Sequence, residues 1–199
     1  MAQLNQKFAI PVLVPEVVDA AGNVPVLAAG GIGNGRQIAA ALALGAEGVW
    51  LGSIWLPTVE SDLEEECIQQ LLSAGSHDTI RTKSWSGKPT RFLRNPWIEA
   101  WEGQDAPEPL PTPLQRILNA PSHQRIVAAR MTDLKSVPVG QVVGQLSQRQ
   151  RVRDVMVNLQ QEYIDAMARL NSIQWSAKQS LNPRLKRTRS IVMIPSLRR

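Results

Sequence analysis

The feature that most constrains this 199-residue sequence is a pair of glycine-containing turns, each of which directly follows a short apolar run. The run PVLAA at 25–29 leads into the turn GGIGNG at 30–35, and the run VWL at 49–51 leads into Gly52 and Ser53. Short apolar runs without alternation predict parallel strands that are covered on both faces. We therefore expect the two turns to follow two strands of one parallel sheet.

Helices are predicted before, between and after these strands. Residues 12–21 carry Pro15 near their start, where a proline is tolerated because the first N–H groups of a helix have no partner. Residues 36–44 are rich in alanine, the strongest helix former, and Gly45 ends them. Residues 58–74 carry five acidic residues near their start, where the helix dipole favours them. This alternation of helices and strands predicts an α/β fold.

The length of the chain limits how much of a barrel it holds. A complete TIM (β/α)8 barrel takes about 250 residues, so the prediction is a partial TIM barrel that contains the last βα units, followed by a helical C-terminal region. The predicted division is a part of a βα barrel at 1–105, a helical extension at 106–173 and a basic, disordered tail at 174–199.

The second half of the sequence has a different pattern. Its predicted elements are a strand at 79–84, a turn at 86–89, a linker with four prolines at 106–113, and helices at 114–118, 122–131 and 140–170. Beyond residue 172 the helical period is lost.

The positive charge of the chain is concentrated at its C-terminal end. The formal net charge is +5 from 22 basic and 17 acidic residues, but seven of the basic residues and none of the acidic ones lie at 178–199. An isolated basic tail with little aromatic character does not favour nucleic-acid binding. A tail that binds nucleic acid or an anionic surface is kept as a weaker hypothesis.

Cysteine usage and hydropathy exclude several classes of protein. Cys67 is the single cysteine, so an intrachain disulfide and a thiolate metal site are both excluded, and its helical spacing predicts core packing. No apolar run approaches the roughly 20 residues that span a bilayer, and the start of the chain resembles a signal peptide poorly. We expect a cytoplasmic protein without a metal site or a membrane segment.

The backbone of the two glycine turns is the candidate binding site. Neighbouring parallel strands end at the same edge of a sheet, so the two turns are expected to meet and to direct N–H groups at one phosphate. The absence of Cβ atoms lets an anion approach the backbone, and the helix that begins near Arg36 is expected to add its positive dipole end. The N–H groups concerned belong to Gly30, Gly31, Gly52 and Ser53.

The spacing of the glycines separates this site from other phosphate-binding motifs. Gly31, Gly33 and Gly35 form G-x-G-x-G rather than the G-x-G-x-x-G of dinucleotide-binding folds, and no Walker lysine follows. The pattern favours a single mononucleotide phosphate. The alternative is that both turns are only tight connections and bind no ligand.

Three segments at 25–32 (PVLAAGGI), 35–46 (GR followed by AAALALGA) and 49–61 (VWLGS followed by TVES) form a recognisable set. Together with PEVVDA, SGKP through RN, and VGQVVG near the C-terminus, they closely resemble the nitronate monooxygenase (2-nitropropane dioxygenase-like) family of FMN barrels. The resemblance covers about residues 9–172 and corresponds to the C-terminal half of the family.

The resemblance implies FMN as the cofactor and identifies its contacts. In that family the second glycine of the AGGI turn and the four residues that end in G-[ST] contact FMN. The matching positions are Gly31, Trp50, Leu51, Gly52 and Ser53, with Gly30 as a neighbour. Trp50 stands where many members carry a smaller polar residue such as Gln, so a backbone contact there would survive and a side-chain contact would not.

The resemblance also implies a reaction, the oxidative denitrification of alkyl nitronates with O2. The family's catalytic histidine lies in an A-G-G-H motif upstream of the segment that matches Val12, and the chain begins after it. His77 and His123 do not match that motif and are expected at the surface, so no catalytic residue is assigned. With only the last barrel strands, unpaired strand edges and an uncovered apolar face would favour self-association or a partner that supplies the missing strands.

Two further hypotheses rest on the same glycine turns. One is a flavin-dependent enoyl-acyl-carrier-protein reductase, a family that is similar through these turns and uses NAD(P)H. The other is a non-catalytic remnant that binds FMN or phosphate, which the absent histidine motif favours.

Overall fold

A computed structural model describes residues 9–180 of the chain, with side chains through residue 173. Within this range the protein is a mixed α/β structure. Its helices are α1 (Ile10–Ala21), α2 (Gly35–Ala43), α3 (Glu65–Ser73), α4 (Pro96–Trp101), α5 (Leu114–Ala128) and α6 (Val152–Ser180). Its strands are β1 (Leu27–Ala29), β2 (Gly48–Trp50), β3 (Thr79–Thr82) and β4 (Thr90–Leu93).

Strands β1 and β2 form a parallel pair, as the sequence predicts. Leu27 pairs with Gly48 and Ala29 with Trp50, so the two strands start and end at the same levels. Helices α1 and α2 cover one face of this pair, where Ala28 lies in the first hydrophobic cluster. The other buried members of this cluster are Val14, Ile32, Ala41 and Ala46.

The opposite face of the pair is exposed. Trp50 has 69% of its surface accessible and Leu27 has 53%, and Ala29 between them is exposed as well. The expectation that both faces of the sheet are covered is therefore wrong for the described residues. The reason is that α1 and α2 lie on the same side, and no described element packs on the other side.

A second sheet forms around an antiparallel hairpin. Strand β3 pairs with β4 from Thr79–Leu93 to Thr82–Thr90, and the segment at 137–139 adds a short third edge through hydrogen bonds at both Leu93 and Val139. This edge packs on α3 in a second cluster that contains Cys67, Leu71, Val137, Val139 and Val143. Cys67 is fully buried, which confirms its predicted place in the core, and burial raises the pKa of its thiol.

The long helix α6 packs against α2 and connects the C-terminal region to the parallel pair. Their closest approach is at Gly35, where an added Cβ would lie 2.5 Å from the carbonyl carbon of Glu162. Leu159 of α6 lies in a third cluster with Ile54 and Val142. A glycine at the start of α2 is therefore a requirement of helix packing.

Helix α5 has an unusual polarity. Its buried side carries Gln115 and Asn119, whose side-chain amides donate to the carbonyl oxygen of Ser84 at 2.8 and 2.6 Å. Its exposed side carries three large apolar residues, Leu114, Ile117 and Leu118. The orientation of α5 thus depends on these buried hydrogen bonds together with one buried apolar residue, Ile126.

Two predicted elements have different boundaries in the structure. Residues 58–64 are irregular and the helix begins only at Glu65, because the backbone at Thr58 and Val59 bridges to Gln150 instead of forming helical hydrogen bonds. The two helices predicted at 114–118 and 122–131 are the single helix α5, which contains Pro121. The packing of α5 compensates for the one hydrogen bond that a proline removes.

The remaining differences lie in the second half of the chain. The strand β4 and the helix α4 were not predicted. The region predicted as helical from 140 to 170 begins with a 3₁₀ turn at Gln141–Gln145, and only then follows α6, which continues to Ser180. The predicted tail at 174–199 therefore overlaps the end of α6, and residues 181–199 lie outside the described range. The three-part division stays a prediction.

None of the helices described between residues 9 and 180 combines the length and the apolar character that crossing a bilayer requires.

We predict that Gly35→Ala destabilises the protein by about 1–3 kcal/mol, because the added methyl group forces α6 away from α2. The free energy of unfolding in urea measures the effect. Gly103→Ala is the matched control, since a Cβ there lies 3.5 Å or more from its neighbours. Equal stability of the two variants would contradict the close contact between the helices.

Candidate functional site

The register of the parallel pair brings the two glycine turns to one edge of the sheet. Ala29 and Trp50 are paired at the end of the strands, so Gly30 and Leu51 are the next residues on each side of that pair. Both turns therefore leave the sheet in the same direction. This confirms that the two turns lie at one edge of the sheet, while the convergence of their N–H groups on one phosphate stays a prediction.

The space beside these turns is open. Among the described residues beyond its chain neighbours, an added Cβ at Gly31 or at Gly52 would have no atom within 4 Å, and one at Gly30 would touch only Ile10 at 4.0 Å. Gly30 and Gly31 also have φ angles of +102° and +67°, which residues with a side chain rarely adopt. The backbone here is exposed to whatever lies beyond the sheet edge.

The N–H groups of this edge are free of loop and side-chain partners. Among the described residues, the hydrogen bonds outside the helices and strands do not use the N–H groups of Gly31, Gly52 or Ser53. The hydroxyl of Ser53 accepts a hydrogen bond of 2.8 Å from the N–H of Gly140. Peptide donors with open space before them are what a bound anion requires.

The other two predicted contact residues have different surroundings. Leu51 is partly buried among the first and third clusters, and its carbonyl oxygen accepts a 2.9 Å hydrogen bond from the indole N–H of Trp55. Trp50 directs its side chain onto the exposed face of the sheet. At Trp50 and Leu51 a ligand at the sheet edge would therefore meet mainly backbone atoms.

The start of α2 does not serve the predicted phosphate site. The N–H of Gly35 donates to the carboxylate of Glu162 at 2.7 Å, and that of Gln37 donates to the side chain of Asn34 at 2.9 Å. The N–H of Gly33 donates to the side chain of Gln37 at 2.7 Å. Protein groups, including a carboxylate, thus occupy these three donors at the positive end of the helix, and the expected dipole contribution to phosphate binding stays a prediction.

The two histidines lie elsewhere. His77 has an 88% exposed side chain 3.3 Å from Asp78, which confirms its predicted surface position. His123 lies on α5, half-buried, with its ring edge against Trp85 at 4.3 Å between centroids, so its expected surface position is wrong. Burial, reinforced by the positive charges of Lys135 and Arg116, lowers the pKa of His123.

Two cavities lie near the described helices, and one of them reaches the first glycine turn at Gly33. One of about 130 Å³ is lined by Gly33, Ile54 and Glu162, among others, and one of about 400 Å³ by Arg94 and Lys135, among others. Neither is lined by Gly31 or Gly52, whose surroundings are open rather than enclosed. In the described part of the chain, His, Cys, Asp and Glu side chains form no group that could hold a metal ion.

Sequence reasoning missed two residues that act at these turns. Gly140 contacts Ser53 from 87 positions away, and Glu162 contacts Gly35 from 127 positions away. No local pattern marks either contact, although Gly140 lies in the segment VGQVVG that carries part of the family resemblance.

The sequence is similar to one family along most of its described length. A model of the nitronate monooxygenase family matches residues 5–162. A protein of Mycobacterium tuberculosis named as a candidate monooxygenase is 47% identical over 173 residues, which make up 84% of this chain and 46% of that protein. A probable nitronate monooxygenase of Bacillus subtilis is 37% identical over 152 residues, which make up 76% of this chain and 43% of that protein. The chain spans about half the length of these curated relatives.

Solved structures with a similar fold point to related enzymes. The nitroalkane oxidase of Streptomyces ansochromogenes has a TM-score of 0.72 at 28% identity, over 82% of this chain and 46% of that chain. FabK of Thermotoga maritima has a TM-score of 0.69 at 30% identity, over 84% of this chain and 52% of that chain.

We predict that His123 makes the stability of the protein depend on pH. Its folded-state pKa is lowered, so the unfolded chain binds more protons, and the free energy of unfolding falls as the pH drops from about 6.5 through the folded-state pKa. His123→Asn should reduce this fall in urea unfolding measured between pH 7.5 and pH 5. The same measurement on His77→Asn gives the effect of losing an exposed imidazole on the pH dependence of the free energy of unfolding. An unchanged pH profile in His123→Asn would refute the assignment.

Proposed function

Because this chain belongs to the nitronate monooxygenase family, we propose that it is part of an FMN-dependent oxidoreductase and that the open edge beyond β1 and β2 binds the FMN phosphate. The contact residues are those implied by the family resemblance. They are Gly30, Gly31, Trp50, Leu51, Gly52 and Ser53.

The observation that carries this proposal is the open space at two glycines on one sheet edge. A Cβ at Gly31 or Gly52 would occupy space in which residues 9–180, apart from the glycine's chain neighbours, have no atom within 4 Å. A phosphate oxygen in that space would accept hydrogen bonds from the adjacent peptide N–H groups. Hydrogen bonds to a charged group contribute about 1.5–3 kcal/mol each, so a few of them suffice to anchor the cofactor.

The chain's own residues have a limited part in the chemistry of such an enzyme. Bound FMN supplies the electron transfer through its isoalloxazine ring. The peptide groups of the two turns hold the phosphate, and the hydroxyl of Ser53 adds a donor beside them. His77 and His123 both lie away from this edge, on the surface and against Trp85, so no described histidine is proposed as a catalytic base.

The exposed face of the parallel pair supports a barrel architecture. In a TIM barrel one face of the sheet packs on helices and the other faces the barrel interior. Leu27, Ala29 and Trp50 occupy the interior position in this arrangement, and Ala28 faces the helices. We propose that further barrel strands cover this face, either through self-association or through a partner that supplies them.

The proposed substrate is an alkyl nitronate, which is oxidised with O2. The family and the similarity to a nitroalkane oxidase support this choice. An enoyl reductase activity with NAD(P)H is the second candidate, because the similarity to FabK is of the same extent.

We expect the chain, combined with the strands that complete the barrel and reconstituted with FMN, to consume O2 when an alkyl nitronate is added, and to oxidise NAD(P)H more slowly with an enoyl thioester. An oxygen electrode and the absorbance of NAD(P)H measure the two rates. Enoyl reduction without nitronate oxidation would reverse the order of the candidates.

We predict that Gly31→Ala weakens FMN binding at least about tenfold, because the methyl group takes the place of the phosphate and bonds to a charged group are lost. Gly22→Ala is a matched control. Gly22 has φ +61°, like the +67° of Gly31, and equally open surroundings, but it precedes β1.

Both variants should lose at least about 1–2 kcal/mol of stability, since a positive φ is strained for alanine. Titration of flavin fluorescence gives the dissociation constant of each protein. The phosphate site is wrong if Gly31→Ala and Gly22→Ala bind FMN equally well, or if the unmodified chain binds none.

A further inference from the structure

Gly140 contacts the proposed phosphate site from a distant part of the chain. Its N–H donates a 2.8 Å hydrogen bond to the hydroxyl oxygen of Ser53, and the two residues are 87 positions apart. The hydroxyl of Ser53 donates to no acceptor among the described residues. Its hydrogen is therefore available to a ligand at the sheet edge.

Structure on both sides holds the donor in place. Before Gly140, Val139 donates its N–H to Arg91 of β4 at 3.1 Å, and both Val137 and Val139 are buried in the second cluster. After Gly140, the 3₁₀ turn at Gln141–Gln145 begins, and Val143 donates back to the carbonyl oxygen of Gly140 at 3.0 Å. The N–H of Gly140 thus has a fixed direction.

A donor with a fixed position on one side of a hydroxyl group determines the direction in which the hydroxyl hydrogen points. An oxygen that accepts from Gly140 has that lone pair engaged, and its own hydrogen then points away from Gly140. A hydroxyl that is oriented in advance binds an anion without losing rotational freedom at that moment.

We infer that Gly140 is a positioning residue for the phosphate of the cofactor and acts through Ser53. This inference rests on the proposed function and goes beyond it, because it makes the C-terminal segment at 137–145 a part of the phosphate site. The Gly140–Ser53 hydrogen bond should favour ligands with a phosphate over otherwise identical ligands without one.

An amide-to-ester replacement at Gly140, which puts glycolic acid in place of the glycine, permits a test that removes the N–H. The ester oxygen occupies the position of the nitrogen, so no atom is added toward the hydroxyl oxygen of Ser53 that accepts the 2.8 Å hydrogen bond. Gly140→Ala keeps the N–H but places a Cβ at 3.2 Å from that oxygen, so it is the control for a steric effect.

The experiment compares dissociation constants for FMN and for riboflavin, which lacks the phosphate, in the purified 199-residue chain. We expect the ester variant to reduce the preference for FMN about tenfold, and Gly140→Ala to keep it within about threefold. In a Ser53→Ala background, the ester variant and the unmodified backbone should have the same preference. Thermal unfolding and riboflavin binding report whether each variant is folded.

The possible outcomes separate this inference from the proposed function. A chain that binds no FMN refutes both. A chain that binds FMN, but whose preference survives the ester replacement, refutes only the positioning by Gly140. Equal losses in the ester variant and in Gly140→Ala, or a parallel loss of riboflavin binding, would also overturn it, because steric or structural effects would then explain the result.

Discussion

The in-register parallel pairing of β1 and β2 is the constraint on which the rest of this structure depends. Leu27 lies opposite Gly48, Ala28 opposite Val49 and Ala29 opposite Trp50, so the two strands are paired along their whole length. A shift by one residue would turn Ala28 from the helix-covered face to the exposed face. It would also move the two glycine turns out of alignment at the sheet edge.

Local signals in the sequence were sufficient for the first third of the fold. Apolar runs of strand length and glycines after the helices identify α1, β1, α2 and β2 to within a few residues. The same kind of signal failed at 58–64, where acidic residues suggested a helix start but the backbone pairs with Gln150. It also failed at Pro121, which interrupts the pattern of α5 without ending the helix. In both places tertiary contacts override the local preference, and their partners are too distant in sequence to be seen.

The candidate site also has one part that the sequence predicts and one part that it does not. That the turns at Gly31 and Gly52 lie on one edge follows from the strand order alone, and the sequence predicts it correctly. The electrostatic surroundings do not follow, because Glu162 of α6 occupies the start of α2 from 127 positions away. The start of α2 has the local sequence of an anion site, but the carboxylate of Glu162 accepts a hydrogen bond from its first N–H group. Only the three-dimensional structure shows which donors are still free.

A phosphate site that consists of peptide N–H groups limits few of the sequence changes that such a protein can undergo in evolution. Every residue type except proline supplies the same N–H group, so most point mutations leave the proposed anchor unchanged, and Trp50 can replace a smaller residue without altering it. Selection would act there mainly against side chains at Gly31 and Gly52. Residues elsewhere around a bound cofactor could then change and accept other substrates. This fits the nearly equal identity of this chain to a nitroalkane oxidase, 28%, and to FabK, 30%.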